Sequence, residues 1–458
     1  MMKRTEEEFR EYSTSGKLLN VLLEVGLPLA LFSLFNSVFN ILDMMMASHV
    51  STVAVSAVAY MSQLQMIVHT VAQGVIAGSM VKINRSFGMQ RYQETKHYTN
   101  QLILLLTLLS LIVLVSIPFM PAILRLIRTP EEFIAEGSKY FSLLLVATCL
   151  NFYNQLFVSI EKTRGNTRKI MVLNILSMIL KLGLTAIFIY GMDADIIMIA
   201  LASLLSYLFI FFFAIFCITD KKSHFSIDIN LLKFDRKKIG KLINISYPLA
   251  IEKASFSMGK ALVNSMIIYY GSAMVGALGI SNNLTGISNN FQGGFSDSES
   301  AIISQNIGAG RYDRAIKAYF LTTIIVSIAN VIISLLLLLF SSPLIHIFAT
   351  ARGGVDREFE LMIRSVFLYD LIGGVLLVIN SSNVGFLVGI GKTKLALFNG
   401  LCRMFLFRIP VLMILEKFTN LGDEIPGVMM MISHMLSGIL STFLVAYEIV
   451  QLKRKHLA

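Results

Sequence analysis

Asp43 closes an apolar run, FSLFNSVFNILD, and is the group best placed to bind and release a cation. An ionisable side chain inside a bilayer is costly, which makes each one a functional candidate. A carboxylate there can either hold a cation or take a proton, and coupling a solute to an ion gradient demands that choice. The plainer reading of Asp43 is a helix-end residue near the outer interface. Lys181 sits mid-span in NILSMILKLGLTAIFIYG, and Thr185 lies four residues on, along the same helix face. The plainer reading of Lys181 is a lysine that snorkels to an interface.

A second set lies in the other half of the chain. Glu252, Lys253 and Lys260 share one span. Glu252 and Lys253 are adjacent, so they project about 100° apart and cannot both face one surface. The next span carries Asn282, Asn283, Asn289, Asn290, Gln292, Asp297, Glu299 and Gln305. That face cannot meet lipid cheaply. It is expected to line a solute cavity, where Asp297 and Glu299 would attract a cationic solute near the cytoplasmic end. Glu252, Lys260 and Asp370 are further cavity candidates. His49, His69, His346 and His434 are scattered, as lone core or interfacial residues usually are, and take no role. No HExxH, GxSxG or Cys/His constellation appears, so neither an enzyme nor a metal or organic cofactor is expected.

The elements that must hold these residues are membrane spans. The 458 residues are 55% hydrophobic and 15% charged, with a mean hydropathy of +0.71. A soluble domain carries about a quarter charged residues. The apolar residues cluster in runs of about 20, the length that crosses a bilayer core. Twelve spans are expected, near residues 18–42, 51–81, 96–118, 133–160, 169–191, 194–218, 240–270, 274–306, 314–340, 358–389, 394–416 and 426–450. The N-terminal segment mixes charge signs and lacks the pattern of a signal peptide. Cys149, Cys217 and Cys402 lie inside apolar runs and read as small hydrophobes. The 24 Met and 32 Phe suit an adaptable apolar cavity, although ordinary packing accounts for most of them.

Lys and Arg decide the orientation. Of 39, 27 fall in the termini and loops of one side, against 5 on the other. That bias predicts cytoplasmic termini. It also accounts for the net charge of +11 without a nucleic-acid partner. The partners expected are the bilayer and a small-molecule substrate, for a monomer.

The chain repeats itself. Pro28, Gly88 and Arg91-Tyr92 recur as Pro248, Gly308 and Arg311-Tyr312 at an offset of 220, and Pro121 answers Pro343. Arg164-Gly165-Asn166-Thr167-Arg168 recurs as Ile390-Gly391-Lys392-Thr393-Lys394 at an offset of 226. The organisation read from this is an N-terminal segment 1–17, an N-lobe 18–218, a cytoplasmic linker 219–241, a C-lobe 242–450 and a tail 451–458. Six spans per lobe start both lobes on the same side, so an axis along the membrane normal relates them. That arrangement places a cavity between two bundles and suits alternating access.

The same residues resemble the multidrug and toxic compound extrusion (MATE) family, along roughly 17–450. Pro28 followed by ILDMMMASHVSTVAVSAVA, the loops FGMQRYQETKHY and NIGAGRYDRAIKA, and the segments RGNTRKIMVLN and GFLVGIGKTKLALFNGLCRMFLFRIPVLMIL carry the likeness. The resemblance is to prokaryotic members, closer to DinF-like than NorM-like ones. It implies twelve transmembrane helices in two lobes around a V-shaped cavity, and export of organic cations driven by inward Na⁺ or H⁺. It matches Asp43 to the family's first-helix coupling acid. Lys181 stands where an Asn is common, and Thr185 stands in the place of a second acid. These positions imply an Asp43–Lys181 ion pair that replaces a Na⁺ site and favours H⁺. The second-lobe acids of the NorM-like branch would fall near Phe256 and Ser257 and at Leu377, and Val388 stands where many members have Arg. Arg403 and Arg408 also resemble family positions, with a structural role expected. The rival within transport is a flippase for a lipid-linked or anionic head group, which the intramembrane cations would suit. A passive channel is the remaining rival.

Overall fold

The computed structural model describes residues 4–47, 52–126, 129, 131–192, 197–351, 354–355 and 357–456. Side chains are described throughout these ranges except at 38, 40–47, 52–59, 132–133, 135–136, 272, 347–351 and 354–355. The first half comprises α1 (Glu6–Ser15), α2 (Leu18–Ala47), α3 (Thr52–Gly88), α4 (Tyr92–Ser116), α5 (Met120–Leu126), α6 (Glu131–Thr163), α7 (Thr167–Ala186) and α8 (Ile197–Thr219). The second comprises α9 (Arg236–Ile267), α10 (Ser272–Gly308), α11 (Tyr312–Leu339), α12 (Ser341–Ala349), α13 (Arg357–Gly389), α14 (Thr393–Leu401), α15 (Ile409–Phe418) and α16 (Ile425–His456). A π-helical turn, Cys402–Arg408, joins α14 to α15. Among the described residues the chain is all-α apart from a two-residue antiparallel pairing of Thr350–Ala351 with Gly354–Val355.

Among the described residues, ten helices are long and apolar enough to cross a membrane. The other two of the expected twelve are α9 and α10. They are 32 and 37 residues long, but polar side chains interrupt them. A helix can carry such groups across a bilayer when they face protein or a cavity. The outer surface is apolar: Leu111, Ile112, Phe212, Phe216, Ile328 and Leu335 are all exposed. That exterior belongs in hydrocarbon rather than water.

The halves meet where α2 and α3 lie against α10 and α9. At the end of the molecule that carries both termini, two backbones touch. A Cβ on Gly88 would collide with the Gln305 carbonyl oxygen, and one on Gly308 with the Arg85 carbonyl oxygen. Gln305 is Arg85 displaced by the repeat offset, so the two contacts are images of each other. Other features repeat with them. Gln90 and Gly310 both turn the chain at positive φ, 61° and 75°. Tyr92 stacks on His224 at 3.9 Å and Tyr312 on His456 at 4.0 Å. Val81, Ile245, Leu249 and Val388 form a shared core beside the contact. Toward the other end the halves have separate cores, one around Met61 and Leu124 and one around Ile267 and Met274.

The N-terminal segment is more ordered than its mixed charges suggest. Thr5 and Glu8 cap α1 reciprocally, as in a capping box. Phe9 is buried, with its ring over Gly165. Glu6 pairs with Arg164 at 2.6 Å in the first half. From the second half, Arg311 donates to the Thr14 carbonyl at 2.7 Å and Arg314 to the Gly16 carbonyl at 2.6 Å. The helix therefore straps both halves together. In the linker, Asp235 caps α9, and the backbone N–H of Lys238 holds its carboxyl below the usual range.

The backbone contact yields a test. Gly88→Val and Gly308→Val are each expected to weaken the closed end by about 1–3 kcal/mol, the usual cost of overpacking. A cysteine replacing Val81, in a background lacking the native cysteines, should then be alkylated faster. Unchanged alkylation would show that the glycine contact does not hold this end shut.

Candidate functional site

The stripe on α10 explains where its polar residues go. Asn282, Asn289, Gln292 and Ser296 recur at helical spacing and line one wall of a cavity of about 310 Å³. Asn283, Asn290 and Asp297 form the next stripe, rotated by about 100°. Asn283 is exposed. Asn290 donates to Ser37 Oγ of the first half at 2.8 Å. Asp297 pairs with Lys162 at 3.4 Å, also in the first half. Glu299 continues the cavity stripe, but α13 covers it, and Gly385 is the position that lets α13 come so close. Glu299 is fully buried and accepts from Ser382 at 3.0 Å. Of the acids expected to draw a solute along this helix, Asp297 thus bridges the halves and Glu299 is enclosed; neither lines the cavity.

The rest of the cavity comes from α9, α13, α14, α16 and the π turn. Glu252, Phe256 and Lys260 contribute from α9, and Asn380 and Asn399 meet at 2.8 Å on the far wall. Lys253 projects elsewhere, as its adjacency to Glu252 requires. Arg403 and Arg408 both line the cavity. In an α-helix, side chains five residues apart diverge by about 140°. In a π turn, with i→i+5 bonding, they come close to alignment. The wider pitch of the turn is therefore what keeps these two guanidiniums, five residues apart, on one side.

His434 ties this group together. Its Nε2 accepts from Arg408 at 3.0 Å and lies 3.4 Å from an Arg403 nitrogen. Two donors facing Nε2 assign the ring proton to Nδ1, which lies 3.3 Å from Asp370 Oδ1. Thr285 donates to the other Asp370 oxygen at 2.6 Å. Asp370, 3% exposed, thus stands behind the cavity wall as an orienting group rather than on the wall. Sequence reasoning gave His434 no role. A polar residue amid the small residues of SHMLSGILST was the available signal, but only the turn at Cys402–Arg408 reveals its partners.

In the first half, Lys181 is half-buried on α7, and Thr185 is fully buried with its Oγ1 lacking a hydrogen-bond partner. The side chain of Asp43 lies outside the described residues. The structure therefore places two members of the expected coupling group on one helix and leaves the third, and the ion pair, as expectations.

The network has a measurable hierarchy. Asp370→Ala removes the buried carboxylate beside both the Thr285 hydroxyl and the His434 ring and is expected to cost about 2–4 kcal/mol, since two buried polar groups lose it at once. Thr285→Val removes one neutral donor and should cost about 1–3 kcal/mol. Melting temperatures of the purified protein should fall in that order. The reverse order would remove Asp370 from the centre of the network.

A family model described as MatE matches residues 28–187 and 248–414, one segment in each half. The probable multidrug resistance protein YoeA of Bacillus subtilis is 22% identical over 410 residues, covering 88% of this chain and 87% of that one. A FAD transporter of Shewanella oneidensis is 23% identical over 422 residues, covering 90% of each. A solved structure described as MATE in complex with MaL6 superposes with a TM-score of 0.91 at 17% identity, covering 97% of this chain and 99% of that one. At that identity the superposition speaks for the fold.

Proposed function

The chain belongs to the MatE family, whose members are transporters, and on that premise we propose that it is a secondary active antiporter exporting small amphiphilic organic compounds by alternating access. The observation that carries this reading is the polar cavity enclosed by one six-helix half, beside a seal between the halves at the end that bears both termini. A chamber of this kind delivers solute only if the seal and the open end can exchange. With the termini in the cytoplasm, as the Lys and Arg bias implies, the arrangement is an outward-open state. The relatives named for multidrug resistance and FAD transport agree with export of organic solutes.

We further propose H⁺ as the coupling ion, with Asp43, Lys181 and Thr185 as the coupling group. A lysine ammonium beside the carboxylate would fill the space and charge of a Na⁺. Organic cations are the class that the family resemblance implies, and the panel sets them against organic anions.

The test is reconstitution into liposomes under imposed pH or Na⁺ gradients with a panel of dyes. Accumulation should follow the pH gradient and be lost in Asp43→Asn and in Lys181→Ala. Full activity in both variants would sink the coupling assignment. Flux that runs only downhill would replace the antiporter with a channel.

A further inference from the structure

We infer that the cavity of the second half recognises an anionic group, a carboxylate or phosphate carried by the solute, through Arg403, Arg408 and Lys260. The inference rests on the reading that this cavity is the solute chamber, and it names the class of compound that fits it.

The charges on the wall do not balance. Lys260, Arg403 and Arg408 line the cavity, and Glu252 is the one carboxylate beside them. Among the described residues, none of the three cations makes a salt bridge within 4.0 Å. Asp370 has a hydroxyl on one oxygen and the imidazole beside the other. The guanidiniums meet a neutral ring nitrogen instead of an acid.

Arg408 is 3% exposed, yet its Nε has no hydrogen-bond partner, and the Arg403 Nε is also buried and unpartnered. A guanidinium offers five donors in a planar fork. Leaving buried charge uncompensated is costly, and each open donor adds to the cost. An incoming carboxylate or phosphate relieves both, because its oxygens match the fork.

The neighbours keep the cations in place without neutralising them. Phe256 has the Lys260 Nζ 5.2 Å and the Arg403 Cζ 4.9 Å from its ring centroid, so one aromatic ring serves two cations. Holding them with a ring and an imidazole leaves the charge available to a visitor. Leu377, Val384 and Met430 supply apolar wall for the rest of the molecule. A solute whose only charge is positive would meet three like charges on this wall, against Glu252 on it and Asp370 behind it.

The experiment compares ligands of opposite charge on the purified full chain in neutral detergent. Carboxyfluorescein should bind saturably, and Lys260→Gln and Arg403→Gln should each weaken it by about tenfold or more. Lys260 is exposed on the wall, so its substitution leaves the core intact. Arg403→Lys keeps the charge without the fork and should weaken binding less than Arg403→Gln. Ethidium should bind poorly to the wild type and better to the neutralised variants. Carboxyfluorescein binding that survives both neutralisations, or ethidium binding at least as tight as carboxyfluorescein's, overturns the assignment.

Adding phosphatidylglycerol distinguishes the sources of the anion. Displacement of the dye identifies a lipid head group, and no displacement identifies a water-soluble solute. Intact anion binding without gradient-driven export would fault the proposed function and leave this site standing. Export of cationic dyes with no anion binding would do the opposite.

Discussion

Two glycines and two carbonyl oxygens hold the rest of the molecule in register. Where Gly88 meets Gln305 and Gly308 meets Arg85, the main chains of α3 and α10 come closer than any side chain would allow. Backbone packing of this kind positions whole helices, because the helices cannot slide without losing it. Features at the same end depend on that placement. Gln305 can reach the Thr163 carbonyl at 3.1 Å, and Arg85 the Ile390 carbonyl at 3.0 Å, only because the ends of α3 and α10 are adjacent. The strap formed by α1 lies over the same junction. The separate cores at the opposite end then follow, since among the described residues no comparable backbone contact ties the halves there.

Inside the second half a different balance governs. Apolar packing alone would exclude Arg403, Arg408, His434 and Asp370 from the interior. They persist as a connected group in which each polar contact orients the next. Thr285 donates to Asp370, the carboxylate stands 3.3 Å from the imidazole Nδ1, and the imidazole accepts from Arg408. Such a group contributes little net stability, because desolvation offsets the contacts. What it contributes is direction, a pair of planar forks held toward an open volume.

Much of this was legible in the sequence, and the reasons are local. Spans announce themselves by length, and Arg91-Tyr92 and Arg311-Tyr312 announce the repeat because the same turn geometry recurs. The polar stripe of α10 was visible as composition. Its division into a cavity face and an inter-half face needed helical phase, which separates Asn289 from Asn290 although both are asparagine. Glu299 was misplaced because α13 covers that part of the stripe, and no feature of α10 itself says so. The π turn was invisible for a related reason. Hydrophobic periodicity assumes a constant pitch, and Cys402–Arg408 abandons it within an apolar stretch. The mixed charges of the N-terminal segment were weighed only against a signal peptide, and the Thr5–Glu8 reciprocity that caps α1 went unread.

That turn carries an implication for kinship between transporters of this shape. If polarity of the chamber is set by the pitch of one helical turn, cargo can diverge through that pitch as readily as by substitution. Relaxing Cys402–Arg408 to the ordinary α pitch with the same residues would swing Arg403 and Arg408 about 140° apart and carry one of them away from the cavity. No functional side chain would have been replaced. Two homologues could then present the same arginines in an alignment and yet differ in what they carry, a divergence written in helical pitch alone.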